Sequence, residues 1–265
     1  MRVMFRAGAA LFGLALGGVA AHGAQAGTNL VQNGGFETLG PGITTPQQIT
    51  GGSIVADWSV PTPPASYAFL FFTASGQGPA TLGSANTEYG GTVNLYGPDS
   101  QYVSPNGGNI VGMDSSFQTG AISQTINGLT VGTQYAVSFD WAGAQQVGFS
   151  GDVSCGTNPD PGNCTTDQWQ VSLGGQTLDT PVTTVANHGF SGWMEQTLVF
   201  TATTTSEALA FIAVGTPGGA PPFALLDGVS LIQVPEPTTG AIMLAGFAAL
   251  GALGLRRRKR HSDDG

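Results

Sequence analysis

Between residues 27 and 234 the Asp, Glu, Lys and Arg side chains of this sequence are all acidic, which limits the chemistry that it can perform. The chain has 265 residues and seven Lys and Arg, none of which lies between Ala7 and Leu255. The body of the chain, residues 27–234, therefore has no lysine base, no Schiff-base amine and no guanidinium clamp. A Ser-His-Asp triad would have to use His188, the only His between 27 and 234, with Ser191 nearby but no Gly-x-Ser-x-Gly turn around it. No pair of carboxylates stands out as the acid and base of a glycosidase, so we expect no enzyme and no catalytic residue.

The acidic balance also restricts the partners. Of the 16 Asp and Glu, only Glu236, Asp263 and Asp264 lie outside residues 27–234. Because no cation is present there to displace phosphate counterions, we exclude nucleic acid as a partner. Anionic lipid and acidic polysaccharide would be repelled unless divalent cations bridge them. A buried carboxylate in this span must be protonated, richly hydrogen-bonded or bound to a metal ion.

Aromatic residues interleaved with Gln, Asn and Thr could bind sugars, because a pyranose presents apolar C–H patches beside its hydroxyl groups. The tryptophans that could make such contacts are Trp58, Trp141, Trp169 and Trp193. Three tyrosines are further candidates, namely Tyr67, Tyr96 and Tyr102. The alternative is that each ring fills the core with its one polar atom satisfied.

The two cysteines, Cys155 and Cys164, lie in the segment SCGTNPDPGNCT. An exported protein meets an oxidising compartment, and the Pro, Gly and Asn between the cysteines allow the chain to turn back. We therefore predict a disulfide that fixes this loop. In the chain-entropy model so short a loop contributes roughly 2 to 3 kcal/mol. A two-thiol metal or redox site is the alternative, although the spacing fits neither pattern.

Short apolar segments with a period of two residues predict strands throughout residues 27–233. They are TNLVQN, SIVADWSV, YAFLFF, GTVNLYG, NIVGMD, AISQTI, QYAVSFDWAG, QWQVSLG, WMEQTLVFTA, EALAFIAVG and FALLDGVSLIQV. Clusters of Gly, Pro, Asn and Ser separate them and break both helix and sheet. The span is long enough for one large core. We therefore predict an all-β chain with a single β-sandwich domain.

The N-terminal residues 1–26 have the features of a signal peptide. Arg2 and Arg6 precede an apolar stretch that ends at Ala24-Gln25-Ala26, a small-x-small cleavage pattern. An N-terminal membrane helix is the alternative. We predict export, with the mature protein beginning at Gly27.

The C-terminal residues 234–260 form a tripartite tail. Pro235, Glu236 and Pro237 precede an uncharged stretch that predicts a membrane helix at about 239–255, and the basic cluster RRRKR follows at 256–260. This tail resembles the PEP-CTERM sorting signal of Gram-negative bacteria that make exopolysaccharide. The resemblance implies that an exosortase recognises the motif, removes the tail and passes the protein to the cell surface or extracellular matrix. A plain membrane anchor is the alternative.

The domain itself is similar to galactose-binding-like jelly rolls, which include carbohydrate-binding modules and exported choice-of-anchor families. The similarity lies in NLVQNGGFE, ADWSV, AISQTINGLTVGTQYAVSFDWAG, GWMEQTLVFTAT and FALLDGVSL. This sequence departs from the pattern of those families at 61–89 and 155–164, which we interpret as insertions. The resemblance implies a jelly-roll β-sandwich with one structural calcium ion between a Glu of the first strand and an Asp of the last, here Glu37 and Asp227. The alternative is that both are hydrogen-bonded carboxylates without metal.

Together these features predict an exported, non-enzymatic surface or matrix protein associated with exopolysaccharide through weak glycan binding. Two alternatives stay open. The first is a structural or adhesive matrix protein that acts through protein contacts, which an exposed apolar patch would indicate. The second is a secreted glycoside hydrolase, which would need two carboxylates about 5 to 10 Å apart across a cleft.

Overall fold

A computed structural model describes residues 27–51, 54–60, 67–72, 83–86, 91–97, 104–117, 120–149, 164–217 and 221–235. These residues form β-strands and connections, and none of them is helical. None of the described segments is a helix that could cross a membrane. The predicted signal peptide and the predicted membrane helix at about 239–255 lie outside the described residues.

Thirteen strands make up the described part of the domain. They are β1 (Gln47–Gln48), β2 (Ala68–Phe72), β3 (Gly83–Asn86), β4 (Thr92–Leu95), β5 (Asn109–Asp114), β6 (Ile122–Asn127), β7 (Gln134–Gln145), β8 (Thr165–Leu173), β9 (Gln176–Asp179), β10 (Thr183–Val185), β11 (Met194–Thr201), β12 (Ser206–Thr216) and β13 (Pro222–Gln233).

The strands form two sheets. The larger has eight strands in the order β11-β7-β13-β5-β2-β1-β3-β4, and the smaller has the order β10-β8-β12-β6, with β9 paired to β8. All pairings are antiparallel except that of β1 with β3. The last strand, β13, lies between β7 and β5 in the larger sheet. The predicted all-β jelly-roll sandwich is therefore confirmed.

The main core lies between the two sheets, and strand periodicity explains which side chains enter it. In β8, Thr165, Asp167, Trp169, Val171 and Leu173 are buried while the residues between them are partly exposed. This alternation is expected because successive side chains of a strand point to opposite faces. A cluster of aromatic rings fills the centre, where Phe211 of β12 packs against Phe139, Trp58 and Trp169 at centroid distances of 5.2, 6.2 and 6.1 Å.

The larger sheet is apolar on its other side as well. A second cluster, here called the outer cluster, contains Phe69, Phe71, Val93, Leu95, Ile110, Ala142, Ala144, Phe223 and Leu225. Its members on β2, β5, β7 and β13 alternate with main-core residues of the same strands. The outer cluster therefore lies on the face of the larger sheet that points away from the smaller sheet, and we call this the outer face.

Two of the sequence-based interpretations need correction. TNLVQN and SIVADWSV do not form ladder strands, and their contacts include the isolated bridges Leu39–Val55 and Ser59–Ser123. The segment interpreted as an insertion at 61–89 contains β2, which pairs with β5 over five residues in the middle of the larger sheet. This part of the segment is thus integral to the fold.

Candidate functional site

Three of the four tryptophans proposed as glycan contacts are in the core. Trp58, Trp141 and Trp169 are no more than 2% exposed. The indole Nε1 of Trp58 donates to Asn33 O at 2.9 Å, and that of Trp169 donates to Leu225 O at 3.0 Å. The prediction that these three rings contact a sugar is therefore wrong, because they are covered by both sheets. The alternative reading, an apolar ring with a satisfied polar tip, describes Trp58 and Trp169.

Trp193 has a different position. It is partly buried against the outer cluster, where its ring lies 6.1 Å from that of Phe190 between centroids. A glycan contact by Trp193 stays a prediction. Tyr96 packs against His188 with ring centroids 4.9 Å apart. Tyr102 lies outside the described residues.

The outer face instead carries a pocket of about 290 Å³ at one end of the outer cluster. Its lining residues are Tyr67, Phe69, Val93, Asp114, Phe117, Gln146 and Phe223. The rings of Tyr67 and Phe117 lie 5.7 Å apart, and Phe117 is 44% exposed. The pocket therefore presents aromatic surface to solvent beside a small number of polar groups, an arrangement typical of small-ligand sites.

Beside the phenol of Tyr67, the polar side chains that line the pocket include a carboxyl and an amide. Asp114 is the last residue of β5 and is 4% exposed, and Gln146 follows β7. Burial raises the pKa of Asp114 to about 7, although hydrogen bonds from the Ser116 and Phe117 backbones oppose this rise. Sequence reasoning named Tyr67 but missed Asp114 and Phe117. The available signal was an acidic residue at the end of the apolar segment NIVGMD.

The structure brings the two predicted calcium ligands towards each other. A methyl group on Gly35 would lie 3.8 Å from Asp227 Oδ1 and 3.9 Å from Glu37 Cγ, so this glycine lies between the two side chains. Glu37 Oε1 accepts the Asn109 backbone N–H at 2.6 Å. Glu37 is not on a ladder strand, whereas Asp227 is on β13 opposite Asp140 of β7.

The electrostatics of this carboxylate site are unfavourable without a cation. Burial raises the pKa of Asp227 to about 7; hydrogen bonds from Ser104 and Gly228 act against it, and the charges of Glu37 and Asp140 raise it further. Like charges directly opposite each other in a ladder are destabilising. The register of β13 against β7 shifts between Asp227 and Ser230, as in a β-bulge, and Gly228 has a φ of 59°. The side chain of Asp227 is fully buried beside this irregularity.

A calcium ion would suit this site only with neutral oxygens in its ligand set. In the described part of the chain, no three His, Cys, Asp or Glu side chains are grouped closely enough to hold a metal by themselves. Calcium accepts hydroxyl, amide and backbone oxygens beside carboxylates. Ser104 and Asn106, which hydrogen-bond to Asp227 and Asp140, carry such oxygens.

The His188 loop does not arrange Ser191 as a nucleophile. The Ser191 hydroxyl donates to Gly192 O at 2.9 Å and accepts the Gly143 backbone N–H at 2.8 Å. Its proton is therefore directed to a backbone carbonyl, which is a structural use of the hydroxyl group.

The remaining predicted residues are only partly described. Cys164 is fully buried just before β8, whereas Cys155 lies outside the described residues, so their pairing stays a prediction. Pro235 is exposed two residues after the end of β13. Glu236 and Pro237 lie outside the described residues.

Comparison with family models identifies two regions. Residues 233–259 match the PEP-CTERM protein-sorting motif, and residues 62–220 match a family described as a protein of unknown function, DUF642. The sorting motif indicates an exported protein directed to the cell envelope. A comparison with curated protein sequences gave no match.

Solved structures with a similar fold include carbohydrate-binding modules. TmCBM61 in complex with β-1,4-galactotriose is 15% identical, with 78% of this chain and 99% of that chain covered and a TM-score of 0.39. The CBM22-1 xylan-binding domain of Paenibacillus barcinonensis Xyn10C is 10% identical, with 80% and 99% covered and a TM-score of 0.34. The α-L-arabinofuranosidase MgGH51 is 16% identical, with 78% and 27% covered and a TM-score of 0.39.

Proposed function

Since this chain belongs to the DUF642 family and ends in a PEP-CTERM sorting motif, we propose that it is an exported, non-catalytic glycan-binding protein of a Gram-negative cell surface or matrix. The pocket on the outer face binds the glycan. An exosortase processes the tail, and the ligand is a neutral exopolysaccharide of the same matrix.

The observation that carries this proposal is the composition of the pocket. The exposed ring of Phe117 and the partly buried ring of Tyr67 offer apolar faces on which the C–H side of a sugar ring can pack. Asp114 and Gln146 also line the pocket and can hydrogen-bond to hydroxyl groups. The volume of about 290 Å³ suits one or two sugar rings of a longer chain.

The charge of the body favours a neutral ligand. Every Lys and Arg lies before residue 7 or after residue 255, so no cation of the body can pair with a uronate or a sulfate. A carboxylate on the ligand would instead lose water in the pocket without gaining a cationic partner.

The pocket supports binding better than hydrolysis. A glycosidase needs a second carboxyl group across the cleft from the first. Among the described residues that line the pocket, Asp114 is the only acid. We therefore assign the pocket a binding role.

The test is a binding titration with a Phe117→Ala variant. The probes are β-1,4-linked oligosaccharides of glucose, galactose and xylose, with oligogalacturonate as the charged counterpart. We expect millimolar to micromolar binding of at least one neutral probe and at least a tenfold loss of affinity, about 1.4 kcal/mol, in the variant. Phe149→Ala is the matched control, because Phe149 is 41% exposed but does not line the pocket. Equal affinities in both variants, or self-association without binding of any probe, would contradict the proposal and favour a structural matrix role.

We also propose that one calcium ion binds at Glu37 and Asp227. The support is that the charges of Glu37 and Asp140 both raise the pKa of Asp227, in a body without Lys or Arg. Bound calcium stabilises the folded state by mass action, so at a concentration of 100 times Kd the gain is about 2.7 kcal/mol. We expect a chelator to lower the Tm and added calcium to restore it. An identical Tm with and without chelator would show that the carboxylates are held by hydrogen bonds alone.

A further inference from the structure

Asp114 is a buried acid in the wall of an otherwise aromatic pocket. Its carboxyl Oδ1 accepts the Ser116 backbone N–H at 3.0 Å, and its own N–H donates to Tyr67 O at 3.0 Å, which fixes the end of β5 against the start of β2. Burial raises the pKa of this carboxyl to about 7. Below neutral pH, the pocket therefore presents mainly a carboxylic acid.

Among the described residues that line the pocket, no group can neutralise the ionised form. The pocket residues from β4, β13 and the segment after β7 are Val93, Phe223 and Gln146, which are uncharged. The titratable groups around Asp114 are Tyr67 at the start of β2 and Asp167 on β8. Neither can supply a positive charge.

A second buried acid, Asp167, lies close to Asp114. The Ser115 hydroxyl donates to Asp167 Oδ1 at 2.8 Å, so the two acids are connected through one residue of the chain. Their charges disfavour each other, and burial raises the pKa of Asp167 to about 8. Asp114 therefore loses its proton first, and its charge then raises the pKa of Asp167 further.

The two forms of Asp114 offer different hydrogen bonds to a ligand. A protonated carboxyl donates one hydrogen bond and accepts others, whereas a carboxylate only accepts. A sugar ring that covers the pocket also removes water from Asp114, and this desolvation penalises the charged form.

We propose that Asp114 is the specificity-determining residue of the glycan site, that it binds an uncharged sugar hydroxyl as a carboxylic acid, and that ligand and proton therefore bind together. This inference rests on the glycan binding proposed above. It predicts that affinity is constant at acidic pH and falls up to tenfold for each pH unit above about 7. It also predicts that oligogalacturonate binds at least tenfold more weakly than the best neutral probe.

Calorimetric titration of the full-length chain in mild detergent tests the proposal, with the same oligosaccharide panel between pH 5 and 9. Asp114→Asn keeps an uncharged hydrogen-bond donor at this position, and we expect it to bind with an affinity that does not depend on pH. Asp179→Asn is the matched control, because Asp179 is an exposed acid on β9, and it should keep the wild-type pH profile.

A second measurement on the unaltered chain does not depend on how the variant folds. Titration at pH 8 in two buffers of different ionisation enthalpy gives the number of protons taken up, and we expect close to one proton per ligand. Saturable binding with the same affinity from pH 5 to 9 and no proton uptake would overturn this inference while leaving glycan binding in place. Failure of every neutral probe to bind at pH 6 would overturn both.

Discussion

Replacement of Asp167 by Asn tests how a buried acid shapes the stability of this sandwich. Asp167 is fully buried on β8, and its Oδ1 accepts a hydrogen bond from the Ser115 hydroxyl. In the described structure Oδ2 has no hydrogen-bond partner, and it lies so close to β7 that a methyl group on Gly143 would be 2.9 Å away. Asn preserves the shape and the acceptor for Ser115 but cannot ionise.

The magnitude follows from the pKa of about 8 in the folded state against about 3.9 in an unfolded chain. Between these values the folded state keeps a proton that the unfolded state has released, so the free energy of unfolding falls as pH rises. The slope is about 1.4 kcal/mol per pH unit. From pH 5 to pH 7, the raised pKa of Asp167 therefore lowers the free energy of unfolding of the unaltered protein by about 2.7 kcal/mol. The Asn variant does not show this loss.

Denaturant unfolding at pH 5, 6 and 7, followed by tryptophan fluorescence, measures this difference. The variant should gain about 2.7 kcal/mol relative to the unaltered protein across this range, which for a domain of this size is about 5 to 11 °C in Tm. Asp179→Asn removes an exposed acid and should show no such gain. Parallel stability curves for the unaltered protein and Asp167→Asn would refute the assignment of Asp167 as a buried, protonated acid.

Two further predictions concern the backbone and the cysteines. Gly34→Ala should destabilise the fold by more than 2 kcal/mol, because its methyl group would lie 1.9 Å from Val229 O of β13; unfolding curves that match those of the unaltered protein would contradict this close approach. Cys155→Ser should lower the stability by roughly 2 to 3 kcal/mol, and reduction of the unaltered protein should do the same. A titratable free Cys164 in the non-reduced protein would disprove the disulfide.

The long strands could be predicted from the sequence because their signal is local. In β8 and β12 more and less buried side chains alternate along much of each strand, and the segments QWQVSLG and EALAFIAVG within them were expected as strands. The strands β1 and β3 have only polar or small residues, QQ and GSAN, and form because neighbouring strands supply their hydrogen-bond partners. Such non-local pairing leaves no periodicity in the sequence.

The candidate site was only partly predictable, because it depends on which face of a strand each side chain occupies and on the register between neighbouring strands. The pairing of Glu37 with Asp227 in one calcium site follows from a family resemblance and stays a prediction, whereas the position of Asp140 beside Asp227 comes from the register of β7 against β13. The sequence shows that Trp58 and Phe117 are aromatic, but not that one is 2% and the other 44% exposed. Both residues lie outside the strands, so their exposure depends on where the connecting segments lie in the folded domain. The local sequence does not show this.

The position of β13 constrains when this domain can finish folding. The strand is hydrogen-bonded on both sides, to β7 and β5, and Val234 still donates to Gln134 O at 2.9 Å, one residue before Pro235. A chain that leaves the export machinery N-terminus first would hold an open gap in its larger sheet until these final residues emerge. Since hardly any spacer separates that closing strand from the sorting motif, recognition of the motif and completion of the fold would involve neighbouring residues of the chain.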